Sequence, residues 1–138
     1  MTEFLGRVFF SAIFILSGVM KLMTASADAP VLAYMGAKIE NALSKAGLDL
    51  DLKPHYLYLL YAACLLEIAG GLLVVMRSSL GPKLLMLFLL SVTPIMHNFW
   101  DYQTEEEMQP EMINFMKNLS MFGALLVFSS MKRKVKRD

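Results

Sequence analysis

Residues 59–76 read LLYAACLLEIAGGLLVVM, from Leu59 to Met76. All but one of them are apolar, small or aromatic, and the exception, Glu67, stands in the middle. A helix needs about 20 mostly apolar residues to cross a bilayer. A helix on a water-soluble domain would instead show an apolar stripe and a polar face. The stretch predicts a membrane-spanning helix, and it raises the question of what a carboxylate does inside one.

The rest of the chain answers to the same solvent. It has 138 residues, enough for one domain. Apolar residues make up 57% and charged residues 18%, with a mean hydropathy of +0.52. Soluble domains run at about 45–50% apolar and about 25% charged. Four runs are long and apolar enough to span, at residues 4–23, 56–76, 80–99 and 113–131. Helices are the expected form, because lipid offers no partner to a free N–H or C=O. Pro54 suits the start of the second span, and the segment from Arg77 to Lys83 makes the second and third a tight hairpin. Between the first two spans, Val31, Leu32, Met35, Ile39, Leu43 and Ala46 recur at helical spacing, with Gly47 as a stop. Residues 30–46 therefore read as an amphipathic helix on the membrane surface or capping the bundle. The fold class is an all-α, integral membrane four-helix bundle with that helix inserted. One domain covers residues 1–138, ending in a basic tail at 132–138.

Ala25-Ser26-Ala27 resembles a signal-peptide cleavage site. Lys21 interrupts the apolar run before it, and Glu3 spoils a basic leader, so the first span reads as a retained anchor.

Charge sets the orientation. The tail carries Lys132, Arg133, Lys134, Lys136 and Arg137; Arg7, Arg77 and Lys83 lie at the same end. The opposite end carries Asp101, Glu105, Glu106, Glu107 and Glu111 with no basic residue between them. Basic bias in short loops places both termini on the cytoplasm-equivalent side. The Glu105–Glu107 run reads as a solvated loop.

Polar residues inside the spans are the candidate functional groups. Helical periodicity puts Arg7 and Lys21 on one face of the first span, and Glu67 among Cys64, Gly70 and Gly71 on the second. Small residues mark helix contacts in membranes, so Glu67 should face the bundle. His97 on the third span, and Lys117 with Asn118 on the fourth, complete an expected intramembrane polar cluster. An unpaired charge at the bilayer centre costs about 2.5–3.5 kcal/mol on insertion scales. Glu67 is therefore expected to meet Lys21 or Lys117, either as a site or as a register-fixing pair. Trp100 and Tyr102 read as interfacial belt residues. With two histidines and one cysteine, no metal site is expected, and no catalytic pair emerges. The basic tail lacks the aromatic platform of a nucleic-acid binder. Expected partners are membrane lipids and other membrane subunits.

Three stretches together resemble the DoxX-like superfamily and, within it, the HR-like lesion-inducing proteins. They are GRVFFSAIFILSG at 6–18; Gly70-Gly71-Leu72 with Ser78-Ser79-Leu80-Gly81; and Thr93-Pro94-Ile95 with Phe99-Trp100-Asp101-Tyr102 and NLSMFGALL at 118–126. The resemblance implies a four-helix integral membrane protein. Relatives in the wider superfamily include a quinone-linked oxidoreductase subunit, other membrane redox partners and cargo receptors of the early secretory pathway. Arg7, Lys21 and Glu67 look like polar positions of the bacterial DoxX-type members. The leading expectation is a non-catalytic accessory or assembly subunit of a larger membrane complex. One alternative is a redox component with a bound lipid or quinone beside Glu67. Another is a trafficking protein, because Lys134 and Lys136 resemble a dilysine retrieval signal of the endoplasmic reticulum. A mitochondrial or plastid membrane is the other address considered.

Overall fold

A computed structural model describes residues 1–26 and 28–131 of the chain. Ala27, in the cleavage-like triplet, and the whole basic tail, with Lys134 and Lys136, lie outside the described residues. Five helices follow in order: α1 at Thr2–Thr24, α2 at Pro30–Lys45, α3 at Tyr56–Val75, α4 at Leu80–Met96 and α5 at Glu105–Ser130. Single 3₁₀ turns at Lys53–His55 and Phe99–Asp101 precede α3 and follow α4. Helices α1, α3, α4 and α5 are the four long, apolar elements, and α2 is the amphipathic insert.

Local chemistry explains the boundaries. Pro30 opens α2, where its missing N–H costs nothing. Gly47, at φ 70°, closes it: the Leu48 N–H bonds the Leu43 carbonyl at 2.9 Å and the Gly47 N–H bonds the Ser44 carbonyl at 3.1 Å. The same two-bond closure ends α3, from Ser78 to Leu73 at 2.9 Å and from Arg77 to Val74 at 3.1 Å. Here a non-glycine residue, Arg77, adopts φ 60°. The chain turns at once into α4.

The third span, Leu80–Asp101, combines α4 with the 3₁₀ turn that follows it and contains the expected 80–99. Helix α4 stops at Met96, and His97 leaves helical geometry. The fourth begins earlier than expected. Glu105-Glu106-Glu107 is not a loop but the first turn of α5, capped by the Thr104 hydroxyl, which accepts the Glu107 N–H at 3.4 Å. Acidic residues beside the exposed N–H groups of a helix start are favourable, which a charge-run reading overlooks.

Glycines set the helix contacts. A Cβ on Gly18 would lie 2.7 Å from Ile68 Cγ1 and 3.2 Å from Glu67 Cβ, so α1 and α3 touch closely. A Cβ on Gly81 would stand 2.5 Å from the Val74 nitrogen, so α4 packs against the backbone of α3. Phe14, Val74, Leu85, Phe88, Leu89 and Leu125 form the interior. Phe10 bridges to α5 through Phe128, ring centroids 5.2 Å apart. Outward positions are apolar as well: Phe9 is 74% exposed and Leu65 68%. An exposed apolar surface of this extent is what a hydrocarbon solvent requires. Helix α2 caps the end away from Met1 and Met131, seating Leu32 on Leu60 and Cys64 and Gly36 on the ring of Tyr56. The protein is a multi-pass membrane protein.

Candidate functional site

The structure divides the expected polar cluster rather than gathering it. Glu67 is 3% exposed, eleven residues into α3 and about 16 Å from its start. Its two carboxylate oxygens accept from Lys21 Nζ at 2.8 and 2.9 Å. Lys21 reaches them from the last turn of α1, where a cation also complements the helix dipole. Its ammonium lies 5.6 Å from the centre of the Phe88 ring. The Glu67 side chain is 4% exposed and the Lys21 side chain 33%. One end of the pair is dry and the other reaches the surface.

Arg7 is elsewhere, at the end of the bundle carrying Met1 and Met131. It is 4% exposed. Its Nε donates to Glu3 at 3.0 Å, one Nη to the Val74 carbonyl at 3.2 Å, and the guanidinium sits 4.9 Å over Phe128. It thus pairs with the carbonyl end of α3 and ties α1, α3 and α5 together. Glu3 also faces Arg77 at 3.7 Å.

His97 belongs to the opposite end, with Nδ1 2.9 Å from Glu111 Oε2. Asn118 donates to the Thr93 hydroxyl at 3.0 Å, joining α5 to α4. Lys117 is exposed and makes no hydrogen bond or ion pair with a described residue. The helix angle explains it: Asn118 points at α4, and the next position back lies 100° away. Of the six residues, only Lys21 and Glu67 pair with each other.

The sequence reading missed a second polar network. Lys38, on α2, is 8% exposed. Its Nζ donates to Asn98 Oδ1 at 2.6 Å and to the Tyr102 hydroxyl at 2.8 Å. Asn98 in turn donates to Asp101 at 2.6 Å, as does Asn41 at 3.0 Å, and Lys45 pairs with Asp101 as well. Tyr34 donates to Glu111 at 3.3 Å. Tyr102, read as a belt residue, is a member of this network. Its members fasten α2 across the ends of α4 and α5. Burial pushes the Lys38 ammonium down, but the Tyr102 hydrogen bond and the neighbouring Tyr34, Glu111 and Tyr102 hold it above the ordinary lysine value. Burial and the Glu111 charge raise the Tyr34 phenol. A signal existed: Lys38 lies at helical spacing from Val31, Met35 and Ala42, on the side of α2 that faces the bundle.

Two clefts bear on ligand binding. One, of about 180 Å³, opens between α4 and α5 and is lined by Leu89, Leu90, Thr93, Pro94, Phe115, Asn118, Leu119 and Phe122. The other, of about 680 Å³, lies between α2 and the start of α3. Glu67 lines neither. Among the described residues no group of three or more His, Cys, Asp or Glu is placed to hold a metal ion.

A profile described as HR-like lesion-inducing matches residues 1–131. Comparison with curated proteins and with solved structures finds no match.

Proposed function

We propose, for a chain that belongs to the HR-like lesion-inducing family, that it is an accessory or assembly subunit of a larger membrane complex with no reaction centre of its own. The observation that carries this reading is the closed Lys21–Glu67 pair. Both carboxylate oxygens are engaged, and Gly18 packs on the Glu67 Cβ. A buried acid spent on locking two helices is not free to move protons or hold a substrate. The other buried cations, Arg7 and Lys38, are likewise engaged within the fold. What remains for interaction is surface. Helix α5 has one fully buried residue, Leu125, and turns Ile113, Met116, Leu119 and Leu126 outward. Such a face suits lipid or a partner helix. The test is purification of the full chain in mild detergent, with identification of everything retained. Retention of a defined set of membrane subunits supports the reading. Migration only as a small free species overturns it.

A second reading, a component that binds a lipid or quinone, draws on the α4–α5 cleft. Its walls are apolar, with the Thr93–Asn118 pair among the lining residues. At about 180 Å³ it is smaller than the roughly 300–1,000 Å³ of whole-ligand sites. It suits an acyl or isoprenoid tail, away from Glu67. Extraction of a quinone with the purified protein, lost on Leu119→Trp, would favour it.

The remaining parts of the proposal concern address and kinship. Basic residues near the termini favour the cytoplasm-equivalent side for both. Lys134 and Lys136 would direct retrieval to the endoplasmic reticulum in the trafficking reading; an unchanged distribution after both become serine would remove it, leaving a mitochondrial or plastid membrane. The wider DoxX-like kinship rests on the three stretches at 6–18, 70–81 and 93–126, with Arg7, Lys21 and Glu67 resembling polar positions of its bacterial members.

A further inference from the structure

Helix α2 and the start of α3 meet at one point and part on either side of it. The meeting point is Gly36 against the ring of Tyr56. Beside it runs the cleft of about 680 Å³, walled by Ala33, Ala37 and Leu57 and bordered by Asp28, Glu40, Lys53 and Tyr58. This volume falls within the range of whole-ligand sites. Lys53, Pro54 and Tyr56 of its lining stand at the start of the second span, Lys53–Val75, where a helix of spanning length meets the headgroups. At its rim Lys53 Nζ stands 3.4 Å from Glu40 Oε1, and the Tyr56 hydroxyl donates to the same oxygen at 3.3 Å. The Lys53 and Glu40 side chains are 69% and 51% exposed, and Tyr58 is 70% exposed. The rim is thus an open pair of opposite charges beside an aromatic face, above apolar walls.

We infer that this cleft binds a phosphocholine-type lipid headgroup. An anionic head would be attracted by Lys53 but repelled by Glu40 and Asp28, and a cationic head would meet the two acids but be repelled by Lys53. A zwitterion laid antiparallel to the pair satisfies both, with its phosphate on Lys53 and its quaternary ammonium on Glu40. The Tyr58 ring offers the ammonium a cation–π face. The acyl chains descend past Leu57 into the hydrocarbon. Because the chains fix the phosphate side, the head cannot turn round. The inference does not depend on any partner subunit.

The experiment uses the full chain in maltoside micelles, probed with short-chain phosphatidylcholine and the matching phosphatidylglycerol. Bound lipid is counted by native mass spectrometry and lipid-induced change in Tm is recorded. Retention of phosphatidylcholine about tenfold above phosphatidylglycerol is expected, the order of one charged hydrogen bond. Ala37→Trp, at an exposed wall position, should abolish that retention. The double variant Glu40→Lys with Lys53→Glu keeps an ion pair but reverses it; it should lose the preference, with its lipid-free Tm lowered only by the loss of the exposed Tyr56 hydrogen bond to Glu40. Equal retention of the two lipids overturns the inference, and so does a preference unchanged in the reversed pair. If Ala37→Trp lowers the lipid-free Tm, the reversed pair decides.

Discussion

Removing Lys21 strands a dry carboxylate, whereas removing Glu67 strands a cation that water can reach. The Glu67 side chain is 4% exposed and the Lys21 side chain 33%. Breaking a buried ion pair from one side costs about 3–5 kcal/mol when the remaining charge stays buried. Lys21→Met should fall in that range. Glu67→Gln should cost less, about 1–2 kcal/mol, because the Lys21 ammonium can swing to the interface and keeps its stem packed. The double variant Lys21→Met with Glu67→Leu removes both charges; apolar replacement of a buried pair is commonly neutral or stabilising. It should recover most of the loss. The assay is reversible unfolding of the purified chain in mixed micelles, with the four proteins compared as a thermodynamic cycle. The reasoning fails if Lys21→Met is neutral, or if the double variant is no more stable than Lys21→Met alone. The same double variant probes function. A purely structural pair predicts that it still carries its co-purifying subunits, while a working acid predicts their loss or an inactive complex.

Three further outcomes follow from the packing and the helix ends. Gly81→Ala should destabilise by about 1–3 kcal/mol or more, since its Cβ would meet backbone at 2.5 Å; Gly123→Ala, inside α5 with nothing within 4 Å, should instead stabilise by about 0.5–1 kcal/mol in the same unfolding assay. Arg77→Gly should stabilise by about 1 kcal/mol in thermal unfolding by relieving φ 60° at the end of α3, minus a small loss from the 3.7 Å contact with Glu3. Lys38→Met should cost about 1–3 kcal/mol by leaving Asn98 and Tyr102 short of a partner. It should also speed proteolysis within α2. The pH dependence of that anchor has a definite sign. The folded Lys38 is held above its ordinary value, so its contribution is complete below about pH 10.4 and is lost as pH rises through the folded value. The folded Tyr34 phenol is raised too, so its neutral form is the one favoured, and it loses its contribution in the same direction. Proteolysis of α2 should therefore quicken above about pH 10 and not between pH 6 and 9; the opposite profile would refute the assigned anchor.

Apolar length alone located the spans, because hydrocarbon leaves the backbone no alternative to the helix. Helix α2 was legible for a different reason: its stripe and its Gly47 stop are local signals. The Lys21–Glu67 contact was one of two pairings the periodicity allowed. Rotation was harder to read. On α4 the neighbours Leu89 and Leu90 are equally apolar, yet Leu90 is 62% exposed and the inward face runs through Gly81, Leu85, Phe88 and Leu89. When every face of a helix is apolar, hydrophobicity carries no angular information, and only the small residues at contacts reveal it. The Lys38 network was hidden for another reason. Its members come from segments about 60 residues apart in sequence, and no local pattern joins them.

That loss of angular information gives the ion pair its use. Along α1 and α3, leucine, isoleucine and phenylalanine could slide one turn, about 5.4 Å, and still find apolar neighbours. Lipid would not penalise the shift, because the outward side chains are apolar in either register. Glu67 would. A slip of one turn carries the Lys21 ammonium beyond the 2.8–2.9 Å contacts it makes and strands a carboxylate that is 3% exposed. Gly18 reinforces the choice, since the turn that abuts Glu67 Cβ must lack a side chain. The carboxylate in the middle of the apolar run is thus a register mark, costly in every alignment of the two helices but one. A register role also predicts a specific failure in the cycle above. The double apolar variant should be stable yet less uniform, with α1–α3 disulfide crosslinking at introduced cysteine pairs spread over adjacent turns instead of confined to one. Crosslinking that stays confined to the native turn would show that glycine packing alone sets the register.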